Sequence, residues 1–173
     1  MNLFGLHDMS KYVDFWFKLA AESSVEVITL SESLSIVKNK YYVLPMDVIE
    51  VKSLARLVLE GRIKVGSTFM NRSIKFLSLR ELSMTGVILG DEHTIEHLIS
   101  CCPLIEYITL KECVVLSPGG DQIDAIKCLN LNGLQKLKGV DVSRIQEVFV
   151  DSPSLENLHY YPDFNKTFKI DFD

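Results

Sequence analysis

The feature of this sequence that most constrains its fold is a six-residue apolar pattern that recurs along the chain. The pattern is L-x-x-L-x-L, with Ile, Val, Met or Tyr also accepted at the apolar positions. Its copies begin at residues 25, 54, 79, 105, 126, 145 and 155, in steps of 29, 25, 26, 21, 19 and 10 residues. The last two apolar positions of each copy are two apart, which is the periodicity of a β-strand with one buried face. One unit cannot bury that face alone, so we expect the copies to stack.

Steps of about 20–29 residues are typical of leucine-rich repeats. We therefore predict an α/β fold, a leucine-rich-repeat solenoid with a curved parallel β-sheet on the concave face and short helices and irregular segments on the convex face. The expected organisation is a single domain over 1–173, with an N-terminal cap helix region in 1–24, about seven irregular repeats in 25–161 and a C-terminal tail or last strand in 162–173. An ordinary α/β domain of several βα units is the alternative, which seven similar hexads in one register disfavour.

Two segments between or before the hexads have helical periodicity. Residues 91–102 favour a helix that begins at Asp91 and ends before Pro103. One face of it carries Ile95, Leu98, Ile99 and Cys102. Near the start, Ser10 can cap a helix over residues 11–23, which would cover the open end of the stack. The apolar side of that helix is expected to hold Tyr12, Trp16, Leu19 and Ala20.

Two further segments are interpreted from composition alone. Residues 113–124 contain Ser-Pro-Gly-Gly-Asp and are predicted to form a surface loop. Residues 168–172 alternate like one more strand, which is expected to pair with the preceding row and cap the C-terminal end of the stack.

Charge and cysteine content exclude several classes of protein. The chain has 18 Lys and Arg against 23 Asp and Glu, a net charge of −5, and no basic block, which argues against a nucleic-acid binder. It starts without the pattern of a secretory signal and has no apolar run long enough to span a membrane. The four cysteines (Cys101, Cys102, Cys113 and Cys128) match no zinc spacing, so reduced thiols are expected. We therefore expect a cytoplasmic or nuclear protein that contacts neither nucleic acid nor membrane.

Several short runs together are similar to one known family. Residues 84–87 read MTGV, residues 102–107 read CPLIEY, and residues 152–158 read SPSLENL. They resemble the "LTGV", "CPLLEYLTLKDC" and "APSLEYL" pieces of plant F-box/LRR proteins, including the group with a further FBD domain. Residues 12–20 are similar to the amphipathic segment before the first strand of that family. The likeness covers residues 12–162.

The resemblance implies a non-catalytic protein-interaction module, the substrate-recognition region of an SCF-type ubiquitin ligase receptor. In such receptors the F-box binds a Skp-type adaptor and the repeats hold the target. The 24 residues before the first hexad lack the "LPDEIL"-like opening of an F-box, and residues 1–173 include no FBD segment. A Skp-type adaptor is therefore an expected partner only if an F-box lies upstream in the full-length protein. The alternative is a stand-alone LRR scaffold or truncated gene product with no link to a ubiquitin ligase.

The candidate site is the concave face, where a protein target would bind. Side chains at the third and fifth hexad positions, and just after the sixth, should point outward from the strands. Arg and Tyr among them are typical interface anchors. The predicted site residues are Arg56, Glu81, Tyr107, Thr109, Lys111, Asn130, Asn132, Glu147, Phe149, His159 and Tyr161.

Other candidate chemistry is weak. His93, His97 and Cys101 are spaced i, i+4, i+8, but they lie on the expected solvent side of their helix and lack a fourth metal ligand. No G-x-S-x-G, P-loop or dinucleotide-binding motif occurs. The basic cluster of Arg62, Lys64, Arg72 and Lys75 is interpreted as a solvated face. We therefore expect no enzymatic activity, no catalytic residues, no cofactor and no metal site.

Overall fold

The computed structural model of the chain describes residues 9–32, 41–45, 48, 51–66, 76–117 and 123–162, and the backbone of 169–171. In chain order its elements are helix α1 (Ser10–Glu22), strands β1 (Val27–Ser31), β2 (Tyr42–Val43), β3 (Arg56–Glu60), β4 (Ile63–Val65), β5 (Glu81–Thr85) and β6 (Ile88–Leu89), helix α2 (Thr94–Ser100), and strands β7 (Tyr107–Lys111), β8 (Val114–Leu116), β9 (Ile123–Asn130), β10 (Gly139–Ser143), β11 (Ile145–Phe149), β12 (Asn157–Tyr161) and β13 (Lys169–Asp171).

The strands form two sheets. The first sheet has six strands in the order β1-β3-β5-β7-β10-β12, all parallel. The second sheet has seven strands in the order β13-β11-β9-β8-β6-β4-β2, parallel except for the antiparallel pair β8 and β9. After β3, β5, β7 and β10, the chain enters the second sheet within one or two residues. The predicted α/β class with parallel sheets is therefore confirmed.

One backbone motif recurs where the strands of the first sheet begin. The N–H groups of Arg80 and Glu81 both donate to the carbonyl of Ala55, at 2.8 and 3.1 Å. The same paired donation joins Ala55 and Arg56 to Glu26, Glu106 and Tyr107 to Arg80, Lys138 and Gly139 to Glu106, and Glu156 and Asn157 to Lys138. Because every joint from β1 to β12 has this geometry, all six strands start in one register.

The corner between the two sheets requires a left-handed backbone. Gly61 and Gly86 follow β3 and β5 with φ of 92° and 68°. The Gly61 N–H donates to the carbonyl of Thr85 at 2.8 Å, which links one corner to the next strand. Glu112 and Arg144 hold the same conformation after β7 and β10 at a steric cost that glycine avoids, with φ of 55° and 60°.

The apolar hexad positions form one continuous core. Leu57 and Leu59 of β3 are 1% and 0% exposed, and the equivalent residues of β5 are fully buried. Burying each such side chain contributes roughly 1.5–3 kcal/mol before conformational entropy is subtracted. At the edge strand β12 the equivalent Leu158 and Tyr160 are only partly buried. The core residues are therefore buried more completely in the central strands than in the edge strand β12.

The structure separates the seven hexads into two groups. Those that begin at residues 25, 54, 79, 105 and 155 lead into strands of the first sheet, as predicted. Those at 126 and 145 form β9 and β11 of the second sheet, so their expected place beside the others is wrong. Ile126 and Ile145 are each 1% exposed, because a buried strand has the same apolar periodicity in either sheet.

Helix α1 has nearly the predicted bounds but buries a different face. Its N-cap position is Met9, without a side-chain cap, so Ser10 does not cap it as expected. Val13 and Phe17 are the side chains it buries. Of the four residues expected on its apolar side, Tyr12 (65%), Trp16 (58%) and Leu19 (52%) are exposed, and Ala20 is partly buried against the core. The prediction of this face is wrong because the helix is apolar around most of its circumference, and periodicity alone does not tell which side packs.

Helix α2 confirms its predicted face. The buried set is Ile95, Leu98, Ile99 and Cys102. Asp91 does not occupy the N-cap, which is His93; its Oδ1 instead accepts hydrogen bonds from the His93 N–H and the Thr94 hydroxyl, both at 2.9 Å. Cys101, expected on the solvent side, is only 9% exposed.

The two segments interpreted from composition differ in part from expectation. The predicted surface loop 113–124 contains all of β8 and the start of β9, and its residues 118–122 lie outside the described ranges. The expected C-terminal strand is present as β13. It pairs with β11 of the second sheet rather than with the preceding row, β12.

Candidate functional site

The first sheet buries one side of its strands and leaves the other outside the core. In β5, Leu82 and Met84 are fully buried, whereas Glu81, Ser83 and Thr85 are half-buried on the opposite side. We call this opposite side the outer face. Strand by strand it consists of Val27, Thr29 and Ser31; Arg56, Val58 and Glu60; Glu81, Ser83 and Thr85; Tyr107, Thr109 and Lys111; Gly139, Asp141 and Ser143; and Asn157, His159 and Tyr161.

The parallel register aligns these residues in three columns across the sheet. The outer column nearest the strand starts contains Tyr107, which is 43% exposed, and the column at the strand ends contains Tyr161, which is 57% exposed. Two strand spacings and four residues separate the Cα atoms of the two tyrosines, roughly 16 Å. Val58, in contrast, is 8% exposed and offers little surface to a partner.

Most charges of the outer face are paired within it. Arg56 Nε lies 3.0 Å from Glu81 Oε1 on the adjacent strand. Lys111 Nζ lies 2.7 Å from Asp141 Oδ2. The other oxygen, Oδ1 of Asp141, is buried and has no hydrogen-bond partner in the part of the chain that the structure describes. Fixed pairs of opposite charge make the face polar without making it strongly acidic or basic.

A second charged group follows the strand starts along one border of this face. Glu106 accepts hydrogen bonds from Lys138 Nζ at 2.7 Å and from Arg80 Nη1 at 2.6 Å. Its side chain is only 13% exposed. Hydrogen bonds from Lys138 and Arg80, in that order, lower the pKa of Glu106, and the Glu106 carboxylate raises the pKa of Lys138. This triad ties the starts of β5, β7 and β10 together from outside.

The structure brings seven of the eleven predicted site residues together on the outer face. They are Arg56, Glu81, Tyr107, Thr109, Lys111, His159 and Tyr161. The other four belong to the second sheet or its margin: Asn130, Asn132, Glu147 and Phe149. Their predicted place on one sheet with the rest is wrong, because β9 and β11 pair with each other and not with β7. That any of these residues binds a partner stays a prediction.

The outer-face residues that the prediction missed are those of β10. Gly139, Asp141 and Ser143 lie between the predicted rows of β7 and β12. The signal was present, since the run from Leu137 through Val140 and Val142 has the same hexad pattern. It begins 32 residues after residue 105, where the preceding hexad of the first sheet begins. This step is outside the usual repeat range because the antiparallel β8–β9 pair occupies the extra length.

The other sequence candidates do not form a site. The His93 side chain is 76% exposed, and His97 Nε2 lies 4.0 Å from Cys101 Sγ. Within the described ranges, no three His, Cys, Asp or Glu side chains are grouped to hold a metal ion. Nor does any helix of those ranges have the length and apolar character to cross a membrane.

Comparison with known proteins places the repeats in a family. The family model described as "FBD-associated F-box protein At5g56370, LRR repeats" matches residues 13–171. The chain is 26% identical over 146 residues to the probable FBD-associated F-box protein At1g32375 of Arabidopsis thaliana. That alignment covers 83% of this chain and 33% of the relative, so the chain spans about a third of the length of the relative. No solved structure gives a significant match. The family model covers nearly all of the chain. The chain therefore belongs to the family of LRR regions found in FBD-associated F-box proteins, which is a non-enzymatic protein-interaction family.

Proposed function

We propose that the outer face of the first sheet binds a protein partner. The observation that carries this proposal is the pair of exposed tyrosines, Tyr107 and Tyr161, on a six-stranded sheet whose strands share one register. Tyrosine has a large apolar ring and a hydrogen-bonding hydroxyl, and it loses little entropy when it is fixed in an interface. Because the strands share one register, the sheet can hold the two rings in place without rearranging.

The charge distribution favours a protein over a polyanion. Arg56 and Lys111 are each engaged by a carboxylate at 3.0 and 2.7 Å, so neither presents a free positive charge. The other outer-face positions present hydroxyl, amide and imidazole groups, such as those of Thr109, Asn157 and His159. We infer a folded protein surface or extended peptide that exchanges hydrogen bonds with these groups and packs apolar atoms against the two rings.

We also propose that the described sheets belong to one leucine-rich-repeat solenoid, with the outer face on its concave side and α1 as its N-terminal cap. Support comes from the identical strand-start hydrogen bonds at every joint from β1 to β12 and from the match to an LRR family model over residues 13–171. A solenoid of this kind presents a broad, continuous binding surface rather than a deep pocket.

At the level of the cell, we propose that the chain acts as the target-recognition part of an SCF-type ubiquitin ligase receptor in the cytoplasm or nucleus. The relative is named as a probable FBD-associated F-box protein, which supports this role. The four cysteines are all free thiols, in keeping with a reducing compartment. A Skp-type adaptor would be bound by an F-box of the full-length protein, and the repeats would hold the target.

The test begins with proximity labelling from the full-length gene product, followed by titration calorimetry of each candidate against the purified chain. The double substitution Tyr107→Ala and Tyr161→Ala should weaken target binding at least tenfold. Ile123→Ala is the matched control, since Ile123 is 56% exposed on the second sheet. A target that binds the double variant as well as the unaltered chain would refute the outer face as its site.

The alternative is an LRR scaffold with no ubiquitin-ligase link. The two functions differ in whether the target is ubiquitinated when the full-length protein, a Skp-type adaptor and the remaining ligase subunits are combined. Ubiquitination that depends on Tyr107 and Tyr161 supports the receptor function. Target binding without adaptor binding supports the scaffold.

A further inference from the structure

Helix α1 has a second apolar face that is exposed in the part of the chain that the structure describes. Four large side chains form it: Tyr12 (65% exposed), Phe15 (62%), Trp16 (58%) and Leu19 (52%). At 3.6 residues per turn they lie within an arc of roughly 100°. Val13 and Phe17, which anchor the helix to the core, lie on the other side. A helix that is apolar around most of its surface is normally buried on both sides.

Exposed apolar residues are concentrated at this end of the molecule. Of the eleven large apolar side chains that are exposed in the described ranges, seven belong to α1, to Met9 just before it, or to the edge strands β1 and β2. Those two strands end the two sheets on the same side. Tyr42 of β2 donates a hydrogen bond to Asp14 of α1 at 2.8 Å, which joins the helix to that end. A clustered apolar surface of this kind indicates an interface.

Its area suits a small dimer interface. Aromatic side chains expose about 150–250 Å² each when free, so the four side chains present on the order of 500 Å². A standard interface buries about 800 Å² on each partner. Met9, which directly precedes the helix and is 37% exposed, extends the patch toward that size.

The charged residues beside the patch are self-complementary, so those of one copy can pair with those of a second copy. Lys11, Asp14, Lys18 and Glu22 follow one border of α1 and alternate in sign. When two such helices lie antiparallel, the two-fold axis brings the same border of both copies together. Lys11 then lies opposite Glu22, and Lys18 opposite Asp14. In a parallel pair, the two-fold axis would instead place this charged border beside the opposite, uncharged border of the partner helix, which carries Val13 and Ala20. Lys11, Lys18 and Glu22 have no ion-pair partner among the described residues, so they are available for this role.

We propose that α1 is a self-association helix through which two copies of the chain form a symmetric antiparallel dimer. The two-fold axis passes near Phe15 and Trp16, so Tyr12 of one copy packs against Leu19 of the second. Lys11 of each copy pairs with Glu22 of the other at the border. Because α1 is separate from the first sheet, this interface uses no outer-face residue.

Sedimentation equilibrium of the chain is the first test. With a patch below the standard size, we expect a dissociation constant on the order of 10–100 μM. Trp16 is the sole tryptophan of the chain, so its emission should shift to shorter wavelength as the dimer forms. A monomer at all concentrations up to about 500 μM would overturn the proposal.

Substitutions then locate the interface. Phe15→Glu should abolish the dimer without unfolding the chain, since Phe15 is exposed. Leu77→Glu is the matched control, because Leu77 is 57% exposed and outside the patch. Circular dichroism melting shows whether both variants remain folded. A dimer that survives Phe15→Glu, or is lost equally with Leu77→Glu, contradicts an interface at α1.

Charge reversal tests the antiparallel register. Lys11→Glu and Glu22→Lys should each raise the dissociation constant about tenfold. Each substitution places like charges together at both symmetry-related contacts between positions 11 and 22. An equimolar mixture of the two variants should form heterodimers of nearly unaltered affinity. At both contacts between positions 11 and 22, a carboxylate of one variant then faces an ammonium group of the other. Equal affinities for the mixture and the single variants would overturn the register.

Discussion

The ring of Tyr107 lies against the backbone of Gly139 on the adjacent strand. A Cβ at position 139 would stand 2.8 Å from Cδ1 and 3.2 Å from Cε1 of that ring. The two residues are paired in the register of β7 and β10. The missing side chain at 139 therefore sets the position of one of the two aromatic groups that we propose for the partner-binding surface.

Replacing Gly139 by Ala should move the Tyr107 ring and weaken partner binding. The ring can rotate away, and alanine is favoured over glycine in a strand, so the free energy of unfolding should change by less than about 1 kcal/mol. Affinity for the partner should fall about tenfold, or about 1.4 kcal/mol. Calorimetric titration measures the affinity and urea unfolding the stability. Ser83→Ala, on the same face, is the control, and unaltered binding by Gly139→Ala would show that the ring position is unimportant.

Two corner glycines should differ in their response to alanine. A Cβ on Gly61 would stand 2.3 Å from the carbonyl oxygen of Glu32, a backbone atom that cannot rotate aside. At Gly86 the nearest atoms are 3.8 Å away, so only the left-handed backbone is costly. We expect losses of about 1 kcal/mol for Gly86→Ala and about 2–4 kcal/mol for Gly61→Ala in urea unfolding. Equal losses would mean that the corner at Gly61 relaxes freely.

Stability should depend on the Glu106 carboxylate in a defined pH window. Its pKa is lowered from 4.5 by hydrogen bonds from Lys138 and Arg80, so its contribution is present above about pH 4.5 and is lost as pH falls through the folded-state pKa. The pKa of Lys138 is raised from 10.5, so its contribution is lost only at more alkaline pH. Glu106→Gln should therefore destabilise the chain between about pH 5 and 10, and its effect should shrink as the pH falls below 4.5.

Urea unfolding at pH 3, 5 and 7 checks this dependence. Glu92→Gln is a suitable control, since Glu92 pairs with Lys127 at 2.6 Å on an exposed surface where ion pairs contribute little. A loss of stability from Glu106→Gln that is the same at every pH would point to lost packing rather than lost charge.

The cysteines should separate into reactive and protected classes. Burial raises the pKa of Cys102 and of Cys113 to about 12, so at pH 8 roughly one such thiol in 10⁴ is ionised. Cys128 is half-buried, and burial together with Glu96 and Glu147 raises its pKa less far. With a thiol reagent at pH 8 we expect one fast phase, from Cys128, and slow reaction of the buried thiols. A fast phase that persists in Cys128→Ser would contradict this assignment.

Much of the outer face could be predicted because strand periodicity is local. The rows of β3, β5, β7 and β12 follow directly from their hexads, and so does the apolar face of α2. The row of β10 was missed although its hexad was present, because its spacing reflects an inserted hairpin that pairs only in the folded chain. The exposed face of α1 was missed for a related reason, since both sides of that helix are apolar in sequence.

By itself, the sequence determined which residues are buried within each strand and that the strands stack as parallel repeats. Both follow from alternation of side chains along a strand and from the need of each unit to bury its apolar face against a neighbour. Only the tertiary structure decided which sheet each strand joined. Ile126 and Leu137 begin equally good hexads, yet one strand lies in the second sheet and the other in the first. Backbone hydrogen bonds between residues far apart in sequence determine which strands pair. The local periodicity of apolar side chains does not encode these hydrogen bonds.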